Sequence, residues 1–183
     1  MTEDFSDPKA TLLSYLSRER ATVLWKLHGL SDYDLRRPMT PTGTNLLGVV
    51  KHLAMVELGY FGEVFGRAPQ VSVSWWADDE AATESVPNID MYAAATVAAL
   101  DLDSPGLVPW WGDQGRVTLQ RIMVHMLDET ARHAGHLDIV RELIDGQAGH
   151  RSYSSNLPED GAEFWAGYLG TLQSIADGFR RAR

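Results

Sequence analysis

The chain contains no cysteine among its 183 residues. That excludes disulfides, iron–sulfur clusters, zinc–thiolate sites and a cysteine nucleophile. Long apolar runs are also missing; none approaches the roughly 18 residues that a membrane-spanning helix needs. The first residues, MTEDFSDPKATLL, are acidic and polar and lack the basic and apolar regions of a secretory leader. Basic charge is scarce: 16 Lys and Arg stand against 25 Asp and Glu, a formal net charge of −9. Such a surface disfavours nonspecific nucleic-acid binding, which depends on basic patches. No Gly-rich phosphate loop, nucleophile elbow or internal repeat is present. The expectation is a cytoplasmic single domain over residues 1–183, with neither a nucleic-acid nor a membrane partner.

Helical periodicity dominates what is present. Ser6–Asp7–Pro8 reads as a helix start, and Leu12, Leu13, Leu16, Val23, Leu24 and Leu27 recur at helical spacing until Gly29. Residues 31–44 hold Pro38, Pro41 and Gly43 and read as loop. A second helix is expected from Asn45 to Phe65, then a long mixed segment to Asn88 containing Trp75 and Trp76, and a short third helix from Ile89 to Leu102. Residues 103–117 read as loop around Trp110 and Trp111. Thr118 caps a fourth helix that Gly146 closes, and a last helix is expected from about Leu157 to Phe179. The sum is an all-α four-helix bundle with an additional C-terminal helix and long connecting loops.

The fourth helix carries His125, Glu129, His133 and His136, which fall on one stripe about 80° wide at about 100° per residue. Its apolar neighbours Ile122, Met126 and Leu137 turn the edge of that stripe toward the core. A carboxylate placed there is costly unless it is paired or bound to a cation. On the second helix, His52 shares a face with Gly48 and Gly59, two residues that each cost a helix about 1 kcal/mol. A pocket or a close approach beside His52 would account for them. The candidate metal ligands are therefore His52, Glu129 and His133. Two imidazoles and one carboxylate leave a coordination position open, as in a catalytic site. The same Glu and His could also be an ordinary i, i+4 helix pair. Glu57 and Asp138 are candidates for orienting a ligand histidine from behind. Trp110 and Trp111 could line a substrate pocket or pack in the core, and Arg121 and Arg141 could bind an anionic substrate or face solvent.

The segments LLGVVKHLAMVE, WWGDQGRVTLQRIMVHMLDETARHAGHLDIVRELIDG and GHRSYSSNLP resemble the DinB-like superfamily, and within it the mini-circle protein branch. The resemblance covers roughly Leu12 to Trp165. It implies a four-helix bundle holding a divalent metal by three side chains. It also implies chemistry on low-molecular-weight thiols such as mycothiol, bacillithiol or glutathione. The superfamily's common ligands are one histidine on the second helix and a His-x-x-x-His pair on a later one. Here His52 and His133 match, and Glu129 takes the first place of the pair, as in the mycothiol-dependent maleylpyruvate isomerase type. The short third helix departs from the family pattern. The leading expectation is a metal-dependent transferase that joins a small thiol to an electrophile. Zinc is the first choice of metal, with nickel, manganese or iron as alternatives, and His125 or His136 acts as acid or base. A metal-dependent hydrolase and a non-catalytic ligand-binding bundle are the rival readings. A homodimer formed through a helix face is a further expectation.

Overall fold

The computed structural model describes residues 6–67, 89–158 and 160–180. The expected Trp75–Trp76 segment lies outside the described residues. Helix α1 runs Pro8–Trp25, with Asp7 as N-cap accepting from the Lys9 amide and Pro at the first position. It ends earlier than the apolar spacing predicts, and the chain turns through Gly29 at φ +79°. The stretch read as loop contains a short helix, α2, at Asp32–Arg36. Its cap is local: Ser31 Oγ accepts from the Asp34 amide and also donates to the Asp34 carboxylate. Helix α3 spans Leu46–Phe61, capped by Asn45, and one turn of 3₁₀ helix follows at Glu63–Phe65.

Helix α4 is short, Ile89–Ala99, as expected. The next stretch is not all loop. Strands β1 (Pro105–Leu107) and β2 (Arg116–Thr118) pair antiparallel around a 3₁₀ segment, Pro109–Gln114, that carries the two tryptophans. Helix α5, Leu119–Asp145, begins at Thr118 and ends at Gly146 (φ +76°), matching both ends expected from the sequence. Helix α6 spans Ala162–Gly178, a few residues later than expected, and buries none of its residues.

Helices α1 and α3 pack on α5, and α4 packs on α3. The apolar core they form is in two pieces. One gathers Leu16, Tyr60, Phe61, Val97, Leu119, Ile122 and Met126; the other gathers Val23, Leu46, Val49, Leu53, Ala134, Leu137 and Val140. A layer of polar side chains from all three long helices lies where the two pieces adjoin, beside Val56, which packs against both. Arg20 of α1, His52 and Glu57 of α3, and Glu129, Thr130 and His133 of α5 make up this layer. The order of partners runs α1 parallel to α5 and α3 antiparallel to it.

The layer is internally paired. Arg20 grips Glu57 with two bonds of 2.7 Å between largely buried side chains, the strong fork-on-carboxylate geometry. A second polar knot holds the end of α1. Lys26 is 0% exposed, pairs with Asp138 and donates to the Gly149 carbonyl at 2.5 Å. Arg141, also buried, donates to the carbonyls of Lys26 (2.8 Å) and His28 (2.9 Å) and to both oxygens of Asp145. Arg141 thus satisfies carbonyls of the turn that follows α1 and ties that turn to α5.

Candidate metal centre

Helices α3 and α5 bring His52, Glu129 and His133 together. Glu129 Oε1 lies 2.9 Å from His52 Nε2 and 3.2 Å from His133 Nε2. One ligand atom from each residue fits within 4.8 Å of the others. Donors bonded at about 2.0–2.2 Å around one tetrahedral ion lie roughly 3.3–3.6 Å apart, inside that limit, so small side-chain adjustments let the residues fit a divalent cation. The side chains stay 36%, 24% and 19% exposed for His52, Glu129 and His133, so the centre opens outward. The i, i+4 spacing on α5 stacks Glu129 under His133, and the antiparallel α3 brings His52 across to them.

The electrostatics favour the forms a cation requires. Burial pushes the Glu129 carboxyl up, but the hydrogen bond from His52 and the neighbouring imidazole charges bring it below its ordinary 4.5. Burial pushes His133 down; Glu129 opposes this, while His52 and His136 add to it, and the net direction is below 6.5. His133 is therefore mainly neutral at neutral pH and has a lone pair to give.

His136 does not join the donor group. Its Nδ1 lies 3.3 Å from His133 Nδ1, on the ring edge away from Glu129. A partner there fixes which nitrogen of His133 faces the carboxylate. His125, one turn before Glu129, sits in an aromatic cluster. Its ring meets Tyr60 edge-on at 4.6 Å and Trp111 at 5.0 Å. Trp110 Nε1 donates to the Tyr60 hydroxyl at 3.4 Å. Arg121 stacks over Trp111 at 5.0 Å. The cluster lies along the α3–α5 groove, next to the donor group. Gly59 lies under the Trp110 ring, at ordinary contact distance for an added Cβ (3.5 Å). Gly48 faces only the Asn45 side chain. No close backbone approach explains either glycine.

The structure places Arg141 elsewhere, at the α1 terminus described above, with its guanidinium committed to backbone and Asp145. Glu57 and Asp138 are engaged by Arg20 and Lys26. Tyr60, which sequence reasoning passed over, is central to the aromatic cluster. Its only sequence signal is a position two turns beyond His52 on the same helix.

A family model described as Mycothiol-S-transferase matches residues 11–146. The chain belongs to the mycothiol-S-transferase family. This agrees with the DinB-like resemblance and with the all-α bundle. No curated protein and no solved structure matches it. All of the mycothiol-S-transferase match lies within α1 to Gly146, so His52, Glu129, His133 and the aromatic cluster are inside it and α6 is outside.

Proposed function

We propose that the chain is a metal-dependent thiol S-transferase that joins a mycothiol-like thiol to a small electrophile. The observation that carries this reading is a two-imidazole, one-carboxylate donor group, open on one side, in a chain of the mycothiol-S-transferase family. His52, Glu129 and His133 would hold the divalent ion, zinc by preference for this nitrogen and oxygen set. A bound ion supplies acidification of the thiol, so that thiolate is available at neutral pH. His136 keeps the His133 ring in place through Nδ1. Sulfur forms the new bond to carbon, and the leaving group departs with its electron pair. The thiol proton passes to an imidazole nitrogen of His125, which returns it to solvent or to the product. Tyr60, Trp110 and Trp111 form an apolar wall that excludes water from one side of the groove and suits a flat electrophile. Arg121, stacked on Trp111, places positive charge at the far end of that wall.

The test combines metal analysis of the purified protein with turnover of a chlorinated nitroarene, with and without added thiol. The expected result is about one equivalent of divalent metal, and conjugation that needs both thiol and metal. Full activity after chelation overturns the metal requirement. Thiol-independent release of the leaving group supports the hydrolase reading in its place.

A further inference from the structure

The GHRSYSS segment forms a loop that the metal centre does not use. After Gly146 the chain folds back along α1. Lys26 Nζ donates to the Gly149 carbonyl, and the Thr22 hydroxyl donates to the His150 carbonyl at 3.1 Å. Arg151 and Ser154 pair across the turn. Gly149, at φ +103°, is required there: a Cβ would lie 2.3 Å from the Ser155 Cα. The loop is thus tied to the helix at several points.

Between loop and helix lies a cavity of about 310 Å³, whose walls include Arg18, Thr22, Trp25, His150, Arg151 and Tyr153. That volume is at the lower end of the roughly 300–1,000 Å³ usual for small-molecule pockets. Its charge is unbalanced. Among the described residues, neither Arg18 nor Arg151 forms an ion pair, in contrast to Lys26 and Arg141 nearby. Arg18 Nε is buried with no hydrogen-bond partner, an arrangement that costs free energy unless something accepts from it. Arg151 Nη1 bonds only the Tyr153 hydroxyl, at 2.9 Å. Among the described residues, Glu19 lies 3.9 Å from His150 Nε2. Two indole and phenol rings, Trp25 and Tyr153, complete the walls. The candidate metal donors lie between α3 and α5, whereas this cavity is lined by α1 and the loop after α5.

We propose that this cavity is a second ligand site, built for a small aromatic carboxylate. The two guanidiniums match a carboxylate in charge and fork geometry. The aromatic walls take the flat ring. His150 offers a further polar contact at its edge.

Benzoate tests this by titration calorimetry on the full chain, with benzyl alcohol as the neutral control. Saturable benzoate binding is expected, with none of the alcohol. Arg18→Gln and Arg151→Gln are each expected to weaken binding about tenfold or more, as for the loss of a charged hydrogen bond. Arg151 lies on the exposed loop, so its variant reports on the site even where Arg18→Gln perturbs α1; thermal melts of both check folding. Glu129→Gln is expected to leave benzoate affinity unchanged. The proposal is overturned by absence of saturable binding, by full affinity in either arginine variant, or by loss of binding in Glu129→Gln, which would place the anion at the metal centre.

Discussion

A single carboxylate oxygen of Glu129 faces two imidazoles, and that arrangement can be probed one residue at a time. His136→Ala removes the contact behind His133 without touching the donors. Its expected effect is a loss of about 10- to 100-fold in metal affinity, read by competition with a chelating dye. Asp145 gives a pH prediction. Burial pushes its carboxyl up, but the Arg141 hydrogen bond, the Gln147 amide and the nearby cations bring it below its ordinary 3.8. A carboxylate depressed in the folded state stabilises the fold above its unfolded value, and the contribution disappears as pH falls through the folded value. Asp145→Asn is therefore expected to destabilise at pH 7 and to cost progressively less below pH 3.8, by urea unfolding across that range. The donors were legible in the sequence because helical spacing alone puts Glu129 beneath His133, and the histidine density marks the face. Arg141 was misleading for a physical reason. An arginine at that spacing faces solvent or a neighbour, and only the position where α1 stops decides which.

Elements read well where their ends are written in local chemistry. Thr118 and Gly146 fix α5 because a side-chain oxygen and a left-handed residue satisfy the groups that a helix leaves open. Gly146→Ala is expected to cost about 1–2 kcal/mol through its positive φ, seen as a lower denaturant midpoint with an unchanged slope. The elements that escaped were short. Strands β1 and β2 have three residues each, too few for an alternating pattern, and they exist because they pair with each other around the tryptophan segment. Helix α2 was marked only by Ser31 with Asp34 three residues later. Between elements, the Arg20–Glu57 pair joins α1 to α3. Glu57→Gln removes the charge from one half of a largely buried ion pair, and a loss of about 3–5 kcal/mol is expected. Circular dichroism melts of this variant and of the double variant Arg20→Met with Glu57→Leu separate the two costs. The double variant is expected to recover much of the stability.

At the scale of the whole molecule, the family match ends at residue 146 and the buried core ends with it. Helix α6 contributes no buried residue and leaves Phe164, Tyr168, Leu172 and Ile175 exposed along one stripe. A chain ending at residue 158 is expected to keep its melting temperature within a few degrees and to retain the metal centre, by calorimetry and metal analysis. The polar layer across the three helices has a further consequence. Two oily ends alone would let α3 slide against α5 by one turn at modest cost, since leucine and valine pack with little regard to partner. The layer removes that freedom: a slip of about 5.4 Å would separate Arg20 from its carboxylate and His52 from Glu129. The contacts that fix this alignment include His52 with Glu129, so correct packing of α3 on α5 also brings these two side chains together.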